Sequence, residues 1–298
     1  MWRFSPVAFV VAAFIAGSAL APLTASAAVL KVTRFDDPAP DGYCGPGQGD
    51  SDCSLREAIL AANASPDPDI IVLAAGTYTL GTDPATAPAG DDVGLQGDLD
   101  IRNGVFIRGA GMNKTAISAN YIDRVFDVNC QQTCDVEFRN VTISKGVVKG
   151  WGGGIQVNTP ASRLEIVDSR VMQSWSIGTH AGGAVENDGM LHVLRSNIYN
   201  NHAYAGAGIA NFGTLSVDQS FIGYNQSNHI GGGIYNAGGR EAFVENSTIA
   251  RNVATDCGGG IMSNGAISVF DSTVAVNTAL AGPLRRSCRG AGGIDWSG

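Results

Sequence analysis

An irregular repeat of roughly 26 residues runs through the second half of the chain, and it constrains the fold more than any other feature. Each copy opens with small residues and an aliphatic residue, continues through an Asn and an apolar stretch, and closes with Ser-x-Ile or Ser-x-Val. The apolar residues alternate over short runs, as in strands, and Gly, Asn, Asp and Ser separate the runs, as turns require. The last aliphatic residues of successive copies are 24 to 28 residues apart: Ile143, Val171, Ile198, Ile222, Ile249 and Val274.

This repeat predicts an all-β chain folded as a parallel β-helix, with two or three short strands in each coil and equivalent residues stacked about 4.8 Å apart. The aliphatic residues then form an internal column. An Asn recurs at one turn and predicts a ladder of side-chain amides, since Asn also tolerates the left-handed backbone of a tight corner. The members of this ladder are Asn201, Asn225, Asn252 and Asn277. A β-sandwich is the alternative, but hairpins would not explain the repeat.

The composition narrows the class of protein further. Among 298 residues, 44% are hydrophobic, which supplies enough apolar surface to exclude disorder. The 40 glycines have no period of three and only 11 prolines accompany them, which excludes collagen. A formal net charge of −8 and a pI of about 4.9 make nucleic acid a poor partner.

Residues 1–27 have the pattern of a secretory signal peptide. Arg3 supplies the positive charge, Val7–Ala16 is almost wholly apolar, and Ala25–Ala27 fits a cleavage site for small residues. A membrane anchor is the alternative interpretation, but Gly17 and Pro22 interrupt a run that is already short for a bilayer span. We therefore expect the protein to be exported.

The cysteines fit an exported protein, because disulfides persist outside the reducing cytosol. Sequential pairing is expected from their spacing, although six cysteines allow fifteen pairings. Metal ligation is the alternative for the pair four residues apart, but no His lies near it. The predicted disulfide cysteines are Cys44, Cys53, Cys130, Cys134, Cys257 and Cys288.

Residues 28–66 are predicted to cap the β-helix, which would then occupy residues 67–298. The segment after Cys53 has apolar residues on one helical face, and Ser54 followed by Glu57 is typical of a capping box. Asn63 to Pro68 should end this helix. Arg56 and Glu57 could be mistaken for a catalytic pair, but we expect them to be structural, as an exposed or capping ion pair.

The cap carries a family resemblance. Cys53–Ile59 is C-S-L-R-E-A-I, Asn63 follows, and Ile71–Leu80 continues as I-V-L-A-A-G-T-Y-T-L. This resembles the CSLREA-domain family of exported bacterial proteins, which implies a right-handed parallel β-helix of the pectin-lyase-like class, secreted or at the cell surface or outer membrane. The Gly-Gly-Gly-Ile openings of the repeats also resemble polymorphic outer-membrane-protein repeats. The resemblance implies fold and export but transfers no catalytic residues.

Enzymes of this β-helix class cleave polysaccharides, with carboxylates on neighbouring coils as acid and base or as ligands of Ca²⁺. Glu186 and Asp188 flank Asn187, but their expected neighbours on the next coil are Ala210 and Phe212. No stack of carboxylates is predicted there, and ordinary polar turns are the simpler interpretation.

The best acidic group lies in and after a long polar insertion beside the first coils. Its carboxylates offer hard oxygen ligands, so Ca²⁺ is the one cofactor that the sequence suggests. A loop with ordinary surface acids is the alternative. The candidate ligands are Asp91, Asp92, Asp98 and Asp100.

Histidines recur before the glycine steps of several repeats without the spacing of a metal site. They could line a ligand-binding stripe together with Trp151, or they could be surface turn residues. The three histidines are His180, His202 and His229.

The sequence thus predicts an exported, non-catalytic β-helix protein of the cell surface or extracellular space, acting in adhesion, envelope structure or carbohydrate binding. A polysaccharide lyase or glycoside hydrolase is the alternative. The expected partner is a polysaccharide or cell-surface glycan, not nucleic acid. Because Gly293-Ile294 opens a further repeat just before the last residue, we also expect a truncated β-helix and self-association through its open C-terminal coil.

Overall fold

The computed structural model describes residues 27–42, 44, 52–81, 97–280 and 292–296. Residues 1–26 of the predicted signal peptide, Asp91, Asp92 and Cys288 lie outside the described residues. Within these ranges no helix is long and apolar enough to cross a membrane.

The chain folds as a parallel β-helix of about 7 turns, which confirms the predicted fold class. Among the described residues all strand pairs are parallel, and each full coil passes through four sheets in a fixed order. A coil therefore has four strands, and the expectation of two or three was too low. We name these sheets, in that order, the long sheet, the serine sheet, the short sheet and the groove sheet.

The long sheet contains β1 (Val29–Lys31), β2 (Asp69–Val72), β5 (Val105–Arg108), β8 (Cys134–Arg139), β12 (Ser162–Val167), β16 (Met190–Leu194), β20 (Thr214–Asp218), β24 (Glu241–Glu245) and β28 (Ala266–Phe270). The serine sheet contains β3 (Gly76–Thr79), β6 (Thr115–Ser118), β9 (Thr142–Ser144), β13 (Arg170–Met172), β17 (Asn197–Tyr199), β21 (Phe221–Gly223), β25 (Thr248–Ala250) and β29 (Thr273–Ala275).

The short sheet contains β10 (Val147–Val148), β14 (Trp175–Ser176), β18 (His202–Ala205), β22 (Gln226–Ile230), β26 (Val253–Ala254) and β30 (Thr278–Ala279). The groove sheet contains β4 (Leu99–Ile101), β7 (Phe126–Val128), β11 (Ile155–Val157), β15 (Val185–Asn187), β19 (Ile209–Asn211), β23 (Ile234–Asn236), β27 (Ile261–Ser263) and β31 (Ile294–Trp296).

The predicted aliphatic column lies inside the β-helix. Ile143 pairs with Val171, Val171 with Ile198, and the register continues through Ile222 and Ile249. These side chains are fully buried, so each stacked contact removes apolar surface from water. Val274 continues the column on the last coil of the serine sheet and is half-buried.

The predicted Asn ladder is also confirmed. The backbone N–H and the Nδ2 of Asn201 both donate to Oδ1 of Asn225, at 3.1 and 3.0 Å, and Asn225 repeats the pattern toward Asn252. The side chains of these three residues are buried and hydrogen-bonded along the stack, which satisfies the polar groups of each corner inside the fold. The ladder fixes the register between coils as the aliphatic column does.

A second amide ladder lies at the end of the groove sheet. Nδ2 of Asn187 donates to Oδ1 of Asn211, and Nδ2 of Asn211 donates to Oδ1 of Asn236, both at 2.8 Å. Asn158 and Asn264 are the Asn residues that follow the opening aliphatic residue in two other repeats. Both lie one residue past the ladder column, because Val157 pairs with Asn187 and Ser263 pairs with Asn236.

In its described part, the cap contains one α-helix, α1 (Leu55–Ala64), with the predicted capping box. The Ser54 side chain accepts from the Glu57 N–H, and the Glu57 carboxylate accepts from the Ser54 N–H. Arg56 and Glu57 are structural, as expected, but both are buried rather than exposed. The Arg56 guanidinium pairs with Asp37 at 2.8 Å. Glu57 accepts from the Asp41 N–H besides Ser54.

The cysteines agree with sequential pairing. The Cα atoms of Cys44 and Cys53 are 4.9 Å apart, and those of Cys130 and Cys134 are 6.1 Å apart, both within the range of a disulfide. Cys257 is also disulfide-bonded. Its predicted partner, Cys288, lies outside the described residues.

Candidate functional site

The groove sheet places chemically active side chains on the outside of the β-helix. The first and third residues of its three-residue strands point inward, so the middle residue points outward. Strand register stacks these middle residues in one column: Asp100, Asp127, Gln156, Glu186, Ala210, Tyr235, Met262 and Asp295. The column places Asp100 and Asp127 on neighbouring coils. The repeat described in the sequence analysis begins only after these two coils and did not reveal this pairing.

A cavity of about 310 Å³ opens over the middle of this column. We call it the Glu186 groove. It combines aromatic, amide and carboxyl side chains from three consecutive coils, and it is lined by Trp151, Gln156, Asn158, Glu186, Asp188 and Phe212.

Aromatic rings form one rim of the groove. The ring centroids of Trp151 and Phe212 are 5.6 Å apart in an edge-to-face contact, and those of Phe212 and Tyr235 are 5.9 Å apart. Trp151 keeps 39% of its surface exposed. It stands in the turn before β11, where Gly152 has φ +63° and a Cβ would lie 2.5 Å from the Ile155 carbonyl oxygen. From this tight turn the Trp151 ring contacts His180 and Phe212, which belong to the next two coils.

The three histidines of the sequence prediction are separated. The His180 ring contacts Trp151 at 5.2 Å and so borders the groove. His202 contacts Asn228, and His229 contacts Asp256 on later coils. The predicted stripe of histidines and Trp151 is therefore not formed among the described residues, and of these three histidines only His180 joins the aromatic rim.

Glu186 is the most unusual side chain in the groove. It is 3% exposed, and its Oε2 has no hydrogen-bond partner among the described residues. Burial raises the pKa of Glu186 to about 8, with further raising by the charge of Asp188, against the lowering effect of Arg124. The carboxyl group therefore keeps its proton at neutral pH and presents a hydrogen-bond donor to the cavity.

This shift predicts a pH-dependent stability. The folded-state pKa of about 8 lies above the ordinary value of 4.5, so the folded protein holds this proton more tightly than the unfolded chain does. Stability from Glu186 is complete below about pH 4.5 and falls as the pH rises to about 8. The Gln side chain of Glu186→Gln cannot ionise. We therefore expect the free energy of unfolding of this variant to exceed that of wild type by about 1–3 kcal/mol at about pH 9.

Urea denaturation at about pH 4.5 and at about pH 9 checks the prediction. The gain of Glu186→Gln should disappear at acidic pH, where wild type is also neutral at this position. Glu165→Gln, at an exposed site on the long sheet, is the matched control and should show no such trend. A pH-independent difference between Glu186→Gln and wild type would contradict the prediction.

The candidate Ca²⁺ ligands meet a residue that the sequence analysis missed. Ligand oxygens of Asp98, Asp100 and Asp127 lie within 4.8 Å of one another. Arg124 enters the same cluster and contacts Asp98 at 2.7 Å and Asp127 at 3.3 Å. Its guanidinium already supplies positive charge there, so a Ca²⁺ ion would have to compete with Arg124 for these carboxylates.

The cluster is held partly inside the protein. Burial raises the pKa of Asp98 to about 6, and the charge of Arg124 opposes this rise. The Arg56 guanidinium donates to the carbonyl oxygens of Gly97 and Asp98, at 2.7 and 2.8 Å, and so ties the cap helix to this end of the groove sheet. The arrangement fits a structural ion-pair network better than an open metal centre.

Comparison with protein-family models, curated proteins and solved structures finds no match to this chain. The parallel β-solenoid is shown by the structure itself. Membership of the CSLREA-domain family and the likeness to polymorphic outer-membrane-protein repeats stay predictions from the motifs.

Proposed function

We propose that this is an exported, non-catalytic β-helix protein that binds a polysaccharide or cell-surface glycan in the Glu186 groove. The observation that carries the proposal is the aromatic rim beside a row of amide and carboxyl groups. Ring faces pack against the apolar faces of sugars, and a few polar groups orient the hydroxyls. Export is proposed from the signal-like pattern of residues 1–27.

The rim suits a polymer that runs along the β-helix axis. Trp151 precedes β11, Phe212 follows β19 and Tyr235 lies in β23, so the rim spans three steps between neighbouring coils. At about 4.8 Å per step, the strands that carry these residues span roughly 14 Å, and the three rings gather within that length, enough for a short oligosaccharide. Gln156 and Asn158 lie beside the rings and offer amide donors and acceptors.

Removing the rim should weaken glycan binding. We expect Trp151→Ala and Phe212→Ala each to lower the affinity for a bound glycan about tenfold or more, because each removes a ring surface from the groove. A glycan array would identify the ligand, and calorimetry would compare the variants. Phe243→Ala, on the exposed face of the long sheet, is the control and should bind as wild type does. Equal affinities for all variants, or no retained glycan, would count against the proposal.

A glycoside hydrolase is the second candidate, and the protonated Glu186 favours it. A general acid must keep its proton at working pH, and a second carboxylate must act as base or nucleophile. Asp188 is the neighbouring acid in the groove. Release of new reducing ends from the bound glycan, lost in Glu186→Gln, would replace the non-catalytic proposal with this one. A Ca²⁺-dependent lyase has less support, because Arg124 pairs with the candidate metal ligands.

A further inference from the structure

Resting on the proposed glycan-binding function, we infer that the Glu186 groove selects a glycan with free amino groups, a hexosamine polymer, over neutral or acidic glycans. The ammonium group would sit against the Glu186 carboxyl, with the aromatic rim beside it. The inference comes from the buried carboxyl, the charges around it and the rings that border it.

The Glu186 carboxyl is built into the groove without a full set of partners. It is 3% exposed, lines the cavity, and its Oε2 has no hydrogen-bond partner in the described part of the chain. A buried polar atom without a partner has a free-energy cost, and a ligand that supplies a donor removes that cost. An ammonium group offers three donors and the matching charge.

The charges that face Glu186 favour a cation. Asp188 and Asp127 both act on it with negative charge, and Arg124 is the opposing cation. Arg124 is already paired with Asp98 and Asp127, and the Arg240 charge acts on Asp188. His180 borders the groove through its contact with Trp151. Even with Glu186 itself protonated, the four neighbouring acids Asp98, Asp100, Asp127 and Asp188 outnumber Arg124 and Arg240.

This balance works against acidic sugars. The carboxylate of a uronate placed beside Glu186 would face Asp188 and Asp127, and like charges in a partly buried cavity repel strongly. A protonated amine in the same place is attracted to the carboxylates. It is also attracted to the electron-rich faces of Trp151 and Phe212, which bind cations in preference to neutral groups.

Binding of an amine should be linked to a proton. In the free protein, Glu186 is protonated at neutral pH, since burial and the charge of Asp188 raise its pKa to about 8. When the ammonium group arrives, the carboxyl loses its proton to solvent and becomes the carboxylate of an ion pair. One proton is then released for each ligand bound, and no covalent bond changes.

The test is calorimetry of the full chain with four oligosaccharides of similar length: a glucosamine oligomer, its N-acetylated form, a cello-oligosaccharide and an oligogalacturonate. We expect the glucosamine oligomer to bind at least tenfold more tightly than the other three at about pH 6, where its amines are charged. Titration in two buffers of different ionisation enthalpy should show proton release approaching one. Between about pH 5 and about pH 6 its affinity should rise by up to tenfold, as this release requires.

Glu186→Gln should abolish the proton release and the preference for free amines, and it should keep the weak binding of the N-acetylated form. Glu165→Gln is the control and should leave both unchanged. Equal binding of amine and acetylated oligomers, or tighter binding of the uronate, overturns the inference while the rim variants still test the proposed function. If none of the four oligomers binds and the rim variants change nothing, both proposals fail.

Discussion

Arg56→Met is expected to lower the free energy of unfolding by about 3–5 kcal/mol, since it removes one partner of a buried ion pair. The Arg56 and Asp37 side chains are 0% and 4% exposed. The substitution would leave the Asp37 carboxylate buried without its guanidinium. It would also remove the donors to the carbonyl oxygens of Gly97 and Asp98. Chemical denaturation followed by circular dichroism measures the loss.

Two further variants make this prediction specific. Arg34→Met removes a guanidinium that pairs with Asp36 and Asp52, both of them solvent-accessible, and it should leave the denaturation midpoint close to that of wild type. Arg56→Met combined with Asp37→Leu should recover part of the loss, because no charge is then left unpaired in the interior. If Arg56→Met and Arg34→Met behave alike, the buried pair does not hold the cap as we describe.

Asn225→Ala is expected to destabilise the β-helix by about 2–4 kcal/mol. Oδ1 of Asn225 accepts from the N–H and Nδ2 of Asn201, and its Nδ2 donates to the Ile198 carbonyl and to Oδ1 of Asn252. The Ala side chain can replace none of these bonds, so the Asn201 N–H and the Ile198 carbonyl on one neighbouring coil each lose a partner. On the other neighbouring coil, Oδ1 of Asn252 keeps only the backbone N–H of residue 225. Denaturation and amide hydrogen exchange near this corner would report the loss.

Asn228→Ala supplies the control for the ladder. Asn228 is exposed and its side chain contacts His202, so no buried polar group depends on it. We expect its denaturation midpoint and its exchange pattern to match those of wild type. A loss confined to Asn225→Ala would separate the ladder from a general effect of removing an amide.

The inner surfaces of the β-helix could be predicted from sequence because the same residue type recurs at the same place in every repeat. Ile198 and Ile222 follow the same Ser-x pattern in their repeats, so the sequence shows that they are equivalent. Asn225 is equivalent to Asn252 at the corner in the same way. A hydrophobic column and an amide ladder both require repetition, since each member bonds or packs with its own kind. The capping box was visible for the related reason that it depends on residues three positions apart.

The groove could not be predicted in the same way because its members do not repeat. Asp127, Gln156, Glu186 and Ala210 share one column but differ in chemistry. The repeat predicted Ala210 as the neighbour of Glu186, and the strand register adds Asp127 and Gln156 to the same column. Phe126-Asp127-Val128 has the apolar–polar–apolar pattern of Ile155–Val157, a signal that could have extended the repeat by one coil. The partner of Arg56 was beyond sequence reasoning, since Asp37 is reached only through the fold of the cap.

The stacked corners have a consequence for how such a chain can evolve. Each coil offers the coil before it the same Asn acceptor and the same serine acceptor. Oγ of Ser196 accepts from the Ser169 N–H, and Oγ of Ser220 accepts from the Ser196 N–H, at 3.0 Å each. Duplication or loss of one whole unit would therefore preserve every local bond while changing the length of the exterior surface. For the proposed glycan, the length of the contact surface would thus be set by the number of coils, independently of the side chains proposed to recognise it.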